Sequence, residues 1–108
     1  MQYALLIYSS PEVLSRHGES TLAEYQAITA SPGVLAGVRL QLPESATTVR
    51  VEDGQGLLTD GPFVAAKEYL AGLYLYEADD LDAATAMAER IPVARLGGAI
   101  EVRPVAEE

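Results

Sequence analysis

The residues best suited to chemistry lie together in one short connection, 59–68. It holds Asp60 before Gly61 and Pro62, an aromatic side chain at Phe63, and a Lys67-Glu68 pair. An aspartate in a loop on a rigid scaffold can act as a general base, or as an acid if burial raises its pKa. The same aspartate can instead cap its own turn through hydrogen bonds to the backbone, with no chemistry at all. Asp60 is our candidate catalytic residue, and both roles stay open.

A second group of side chains is suited to hold a ligand. Tyrosines on neighbouring predicted strands can line a cavity and orient a polar molecule, although core packing is their commoner role. An arginine on an apolar strand needs an acidic partner or a bound carboxylate. A lysine beside a glutamate can neutralise an anionic ligand or form a solvated ion pair. The candidate ligand-binding residues are Tyr8, Tyr25, Arg39, Phe63, Lys67 and Tyr74.

Few residues are suited to metal or cofactor chemistry. The one histidine, His17, precedes the first predicted helix, which favours an exposed loop residue over a catalytic one. The acids in 77–82 come just before a predicted helix, where the helix dipole favours them without any metal. Zero cysteines exclude a disulfide framework, a thiolate metal site and a cysteine nucleophile. Because phosphate-binding loops are also absent, we expect no metal and no cofactor.

Composition limits the partners that the chain can have. Its 108 residues, 49% of them apolar, fit a single domain spanning 1–108. A formal charge of −9, from 16 acids against 7 bases, opposes nucleic acids and anionic membranes. The apolar run at 3–8 has no basic lead and is far too short to span a bilayer. We expect a cytoplasmic protein that binds neither nucleic acid nor membrane.

Hydrophobic periodicity predicts the elements that position these residues. Thr21 and Glu24 have the spacing of a capping box, and Asp80 is suited to cap a second helix. Pro43-Glu44-Ser45 is expected to join two antiparallel strands, and Asp53-Gly54 to form a second turn. The predicted helices are 21–30 and 81–90, and the predicted strands are 3–8, 34–42, 46–51, 57–59, 70–77 and 99–105.

This order of elements predicts a ferredoxin-like α+β sandwich, with two helices on one face of an antiparallel sheet. The strands at 3–8, 34–42 and 70–76 carry large apolar or aromatic side chains on both alternations. Such strands would be energetically unfavourable in a sheet with one face in water, so a partner must cover the second face. We expect a homodimer in which two sheets form a dimeric α/β barrel, with a pocket for a small polar or aromatic ligand.

Short motifs follow one another in order along nearly the whole chain. They are YALLIY at 3–8, GVLAG at 33–37, ATTVR at 46–50, TDGPF at 59–63, KE at 67–68, DDLD at 79–82 and EVRPV at 101–105. In these motifs the chain resembles the YCII-related family, specifically its DGPF branch of DGPFAETKE-like proteins. The resemblance implies a dimeric α/β barrel in the bacterial cytoplasm, often encoded beside sigma factors of the extracytoplasmic-function type, with a largely unassigned biochemical role.

The resemblance also bears on catalysis. The family's better-characterised relatives resemble small lyases or dehydrochlorinases that use a histidine on the first helix with an aspartate. Here the helix position that faces the sheet is held by Tyr25, so that dyad is not carried over. The branch usually has a glutamate where this chain has Ala65, and a double glycine where it has Ala71-Gly72. A glutamate that would assist a catalytic aspartate is therefore missing.

Two classes of function follow from these residues. The first is a small-molecule binding or regulatory dimer, which the resemblance associates with a sigma-factor pathway. The alternative is a lyase or isomerase that transfers protons without a cofactor. In that enzyme Asp60 is the acid/base, tyrosines shape the cavity and an arginine holds a carboxylate. The absence of a first-helix histidine and the presence of Ala65 in place of a glutamate favour the binding module.

Overall fold

The computed structural model, which describes residues 1–107, is an α+β fold built on antiparallel strands. Its helices are α1 (Pro11–His17), α2 (Leu22–Thr29) and α3 (Leu81–Arg90). Its strands are β1 (Gln2–Ser9), β2 (Val34–Arg39), β3 (Thr47–Glu52), β4 (Gln55–Asp60), β5 (Tyr69–Glu77) and β6 (Ala99–Pro104). The main sheet has the order β2-β5-β1-β6, which is compatible with the expected ferredoxin-like arrangement.

The core lies between the helices and one face of the main sheet. On β1 the side chains of Tyr3, Leu5 and Ile7 are buried at every second position, as the period of a strand requires. Ile28 of α2 and Met87 of α3 pack into the same cluster. The Asp80 carboxylate caps α3 by accepting a hydrogen bond from the Ala83 amide at 2.9 Å, which confirms the predicted cap.

Within residues 1–107, the opposite face of the main sheet carries several aliphatic side chains and is covered by no helix. Leu6 pairs with Leu73 across β1 and β5, and both residues are half-buried. Val38 of β2, opposite Leu73, leaves 52% of its surface exposed. We call this surface the open sheet face. The sequence prediction that β5 is apolar on both alternations is confirmed, because Leu73 faces away from the buried Tyr74.

Helix α1 was absent from the sequence prediction, which treated the Ser9-Ser10-Pro11 segment as a turn. The Ser10 hydroxyl accepts a hydrogen bond from the Val13 amide at 3.3 Å, and Pro11 occupies the first turn. Proline is favoured there because its missing N–H has no partner within a helix in any case. The same residues that suggested a turn therefore start a helix.

The predicted capping box at Thr21 and Glu24 is wrong. The Thr21 backbone is already helical, with φ −101° and ψ −5°, instead of extended as a side-chain cap requires. Its hydroxyl donates to the His17 carbonyl at 2.8 Å and so bonds back to α1. Thr21 therefore ties α1 to α2.

Strands β3 and β4 form a separate hairpin, residues 47–60, which we call the arm. The expected pairing of 34–42 with 46–51 is wrong, because β2 pairs with β5 whereas β3 pairs with β4. Asp53 and Gly54 have positive φ angles of 49° and 77°, the backbone that a two-residue hairpin turn requires. Pro43–Ser45 forms a 3-10 turn instead of a hairpin loop. Local turn chemistry thus directs β3 onto β4.

Candidate functional site

A cavity of about 1010 Å³ opens between the α1–α2 layer and the main sheet. It lies at the sheet edge where β1 and β2 end and β5 begins. One wall comes from α1 and α2, and the opposite wall from the chain that leaves β2 toward the arm. The volume lies at the upper end of the range usual for small-molecule sites. The cavity is therefore large enough for a metabolite-sized ligand.

Most of the cavity lining is aliphatic. Ile7 of β1 lies at the base, where it joins the core, and Val13 of α1 packs nearby. Further aliphatic side chains border the space, namely Leu14, Leu22, Leu40, Leu42, Val93 and Leu96. Such a surface favours a ligand with a substantial apolar or aromatic part, because removing apolar area from water supplies binding free energy.

Tyr74 supplies a fixed polar group beside the cavity. Only 5% of its surface is exposed, and its hydroxyl donates to the Tyr25 carbonyl at 3.1 Å. The Thr29 hydroxyl lies 3.4 Å from the hydroxyl oxygen of Tyr74. Gly37 on β2 lies directly against the Tyr74 ring, where an added Cβ would come within 2.7 Å of ring carbons. Packing and hydrogen bonds together fix the orientation of this ring.

Two further tyrosines give the lining neutral hydrogen-bond donors. Burial raises the pKa of the Tyr25 phenol on α2. Burial also raises the pKa of the Tyr69 phenol, the Glu44 carboxylate adds to that rise, and the Arg39 guanidinium opposes it. Both phenols therefore stay protonated at neutral pH and can donate a hydrogen bond to a ligand oxygen.

His17 also lines the cavity, contrary to its expected place in an exposed loop. It is the last residue of α1 and is half-buried. Its carbonyl accepts hydrogen bonds from the Thr21 hydroxyl at 2.8 Å and the Ser20 hydroxyl at 3.2 Å. The backbone that carries the imidazole is thus held firmly against α2.

The structure divides the predicted ligand-binding residues into separate groups. Tyr25, Arg39 and Tyr74 line the one cavity. Tyr8 is half-buried on the open sheet face, on the other side of the sheet. Lys67 is exposed in the connection from the arm to β5. The cavity thus contains three of the residues that the sequence analysis selected from separate elements.

Asp60 and Phe63 lie at the base of the arm, outside the cavity lining. Phe63 is 68% exposed, and its ring centroid is 4.6 Å from the Arg50 guanidinium carbon, a cation–π contact. The turn after Asp60 is held by the Gly61 amide, which donates to Ala46 O at 2.7 Å. Thr48 adds a hydroxyl bond to Gly61 O at 2.9 Å. The Asp60 carboxylate takes no part in these bonds.

Sequence reasoning did not select three polar residues of the cavity: His17, Glu44 and Tyr69. The sequence signal that could have placed His17 on a helix is Ser10-Pro11-Glu12, which is a typical helix N-terminus and begins α1. Glu44 follows Pro43 in the 3-10 turn, whose direction depends on tertiary contacts. Within residues 1–107, His, Cys, Asp and Glu side chains form no group of three that could hold a metal ion.

Comparison with known proteins identifies relatives of this chain. The model of the YCII-related domain matches residues 1–108. The chain belongs to the YCII-related family. This YCII-related protein is also 33% identical over 115 residues to an uncharacterized protein from Rhizobium meliloti (strain 1021), covering 98% of this chain and 93% of the relative. Across the described part of the protein, no helix combines the length and apolarity needed to cross a membrane.

Proposed function

We propose that this YCII-related protein is a homodimeric small-molecule binding module of the DGPF branch. The observation that carries the proposal is the cavity of about 1010 Å³, whose aliphatic lining is interrupted by Tyr25, Tyr69 and Arg39. The motif Asp60-Gly61-Pro62-Phe63 supports the branch. A cytoplasmic location and a link to a sigma-factor pathway are proposals that rest on the resemblance alone.

The ligand that fits this lining is a small aromatic or apolar molecule with one acidic group. The Arg39 guanidinium at the cavity wall can donate charge-assisted hydrogen bonds to a ligand carboxylate. The Tyr69 phenol near Arg39 can donate to the same carboxylate. The aliphatic walls then surround the rest of the molecule, as in most small-molecule sites. A free anion without an apolar part would leave those walls in water.

A thermal-shift screen with aromatic carboxylates, phenols and catechol-type compounds tests this proposal. A ligand at ten times its Kd stabilises the fold by about 1.4 kcal/mol, which raises Tm by roughly 6 °C in a domain of this size. We expect aromatic carboxylates to give such shifts and Arg39→Gln to abolish them. Arg50→Gln removes the same charge from the arm, outside the cavity, and should leave the shifts unchanged. Equal losses in both variants, or no shift with any compound, would contradict the proposal.

A second candidate function is a lyase or isomerase that transfers protons without a cofactor. His17 favours it, because an imidazole beside neutral phenols is a suitable acid/base in an apolar cavity. Asp60, the base expected from the sequence, lies on the arm outside the cavity of its own chain. In an enzyme, His17→Gln would keep ligand binding and abolish turnover of the bound compound. Binding without turnover in the wild type would leave the binding module as the function.

The homodimer is proposed from the open sheet face. Leu6, Leu73 and Leu75 lie there without a covering helix, and Val38 extends the apolar surface to the edge strand. An antiparallel sheet with one face in water normally carries polar side chains on that face. A second copy that covers this face would form the dimeric α/β barrel. Glu101 and Arg103 on β6 pair at 2.7 Å and would lie at the rim of such an interface.

A further inference from the structure

The arm is the part of the molecule that the proposed binding function leaves unexplained. Within residues 1–107, β3 and β4 pair with each other and with no other strand. An isolated two-stranded hairpin is at best marginally stable in water. The arm therefore needs a surface to pack against, and its own chain does not supply one beyond its base.

The two faces of the arm differ in chemistry. Val49 lies opposite Leu58, so these two side chains share one face with Val51. Their exposed fractions are 61%, 73% and 68%, respectively. The other face carries Arg50, which Phe63 covers. Most of the exposed aliphatic surface of the arm thus lies on this one face, which we call the aliphatic arm face, whereas Leu57 beside Arg50 leaves 42% of its surface exposed on the other.

The exposed area of the whole chain points to a large missing contact. The protein exposes 7485 Å², whereas folded monomers of its mass expose about 5,800 Å², roughly 1,700 Å² less. Its radius of gyration is 15.5 Å, against about 13 Å for a compact domain of this length. A standard interface buries about 800 Å² on each partner. The excess area is therefore sufficient for a stable dimer that covers more than one surface.

Two surfaces of the same chain lack a cover, and a two-fold dimer can pair them. In such a dimer every contact between two different patches occurs twice, so the arm of each protomer can lie on the sheet of the other. The aliphatic arm face has Leu58 at its centre, and the β2 edge of the open sheet face carries Val38, which leaves 52% of its surface exposed. A second copy satisfies both needs at once, because the surface that covers each patch is supplied by the other patch of the same sequence.

We propose that the arm is a dimerisation element whose aliphatic face packs on the β2 edge of the open sheet face of a second copy, beside the sheet-to-sheet contact of the proposed barrel. The inference rests on the proposed homodimer and assigns a role to the Asp60-Gly61-Pro62-Phe63 motif. Gly61, with φ 100°, and its bonds to Ala46 and Thr48 fix the direction in which the arm leaves the domain. The motif therefore positions the arm, and Phe63 closes the face that does not meet the partner.

Charge placed on the aliphatic arm face tests this role. Val49→Lys with Leu58→Lys should raise the dimer dissociation constant by about tenfold or more, because two ammonium groups would be buried against aliphatic side chains. Gln55→Lys with Thr59→Lys adds the same charge on the opposite face of the arm and should leave the constant near its wild-type value. Analytical ultracentrifugation measures the dimer dissociation constant of each double variant. Circular dichroism confirms that each variant is folded.

The outcomes separate this inference from the proposed homodimer. If the wild type is a monomer at every concentration, the proposed homodimer and the arm inference both fail. If the wild type is a dimer and the Val49/Leu58 variant dimerises equally well, the dimer stands and the role of the arm is wrong. If both double variants weaken the dimer equally, added charge alone accounts for the loss and the arm inference is also overturned.

Cross-linking locates the contact, because the natural chain has no cysteine. Leu58→Cys and Val38→Cys are prepared as separate variants, mixed under denaturing conditions, refolded together and oxidised. A disulfide that joins the two different variants supports the arm lying on the partner's sheet. A disulfide between two Leu58→Cys chains alone would mean that the arms meet each other, and the absence of any mixed disulfide would likewise contradict the proposed contact.

Discussion

Tyr74 shows how a single residue couples the core to the cavity. Its ring packs against Gly37 of the neighbouring strand, and its hydroxyl donates to the Tyr25 carbonyl at 3.1 Å on α2. The sheet thereby fixes the position of α2, and α2 in turn positions the Tyr25 side chain at the cavity. A substitution at Gly37, which itself lines the cavity, is therefore expected to displace the Tyr74 ring and, through it, the Tyr25 side chain.

We expect Gly37→Ala to lower stability by about 1–3 kcal/mol and to weaken ligand binding. The new methyl group would lie 2.7 Å from the Tyr74 ring, so the ring must move. Gly56→Ala is the matched control, because Gly56 also lies in a strand and has open space where its Cβ would stand. Urea unfolding gives the stability, and the thermal-shift ligand gives the affinity. Equal effects of the two substitutions would contradict the role of the Gly37–Tyr74 contact.

The phenols of Tyr25 and Tyr69 predict how stability changes at high pH. Burial raises their pKa values above the ordinary 10.0, so the folded protein retains these protons at a pH where the unfolded chain has lost them. The resulting stabilisation is fully present below pH 10 and is lost as the pH rises through the folded-state values. Urea unfolding from pH 8 to 11 should show this decline, and Tyr25→Phe should make it shallower. If stability declines with pH as steeply in Tyr25→Phe as in the wild type, Tyr25 is not the source of the decline.

At the scale of elements, each cap controls a different part of the protein. Ser10 starts α1, which carries Val13 and His17 to the cavity, whereas Asp80 starts α3, which does not line it. The two caps use the same kind of hydrogen bond from an amide three residues ahead. Substitutions at the two caps can therefore distinguish an effect of helix stability from an effect of cavity structure.

Ser10→Ala and Asp80→Ala should each cost about 1 kcal/mol of stability, which lowers Tm by roughly 4–8 °C. Only Ser10→Ala should also weaken ligand binding, because fraying of α1 displaces His17 and Val13. Calorimetric titration of the two variants with the same ligand measures the difference. If Asp80→Ala weakens binding as much as Ser10→Ala does, general loss of stability would explain both results.

Local signals in the sequence predicted several elements well. The Asp53-Gly54 turn, the Asp80 cap and the alternation of β5 depend on neighbouring residues, and the structure confirms all three. The arm was missed as a separate sheet, because strand pairing depends on partners that lie far apart in the chain. Pro43–Ser45 can close a hairpin or redirect the chain, and only tertiary contacts decide between them.

The candidate site was predictable only in part for the same reason. Tyr25, Arg39 and Tyr74 were selected from residue type and periodicity, and the structure brings them to one cavity. His17 was placed in a loop because α1 spans only seven residues and begins with a proline. A helix of this length has a weak periodic signal, so the cap was the only usable evidence for it.

The whole molecule is flat, with principal dimensions of 45 × 40 × 19 Å. A thin shape follows from one layer of helices on one sheet, with the arm beside it. Two such layers placed sheet to sheet would give a thicker particle with the aliphatic surfaces inside. The flat shape is compatible with the proposed homodimer, in which a second layer would lie on the open sheet face.

Light scattering at micromolar concentration should give about twice the chain mass of 11.5 kDa. Each protomer has a formal charge of −9, so the two protomers repel each other at low ionic strength. Raising the salt concentration shortens the Debye length to about 10 Å at 0.1 M and should strengthen the dimer. A well-folded monomer would contradict the open sheet face as an interface, and a dimer that weakens with salt would contradict association through aliphatic surfaces.

The strand order of the main sheet has a consequence for synthesis. β1 is made first, yet its two neighbours in the sheet are β5 and β6, which follow much later in the chain. The arm, in contrast, joins strands that are adjacent in sequence and can close as soon as they leave the ribosome. The aliphatic strand β1 must therefore wait, unpaired, while more than half of the chain is translated. During that interval its apolar side chains stay unpaired and are exposed to association with other chains or with a chaperone.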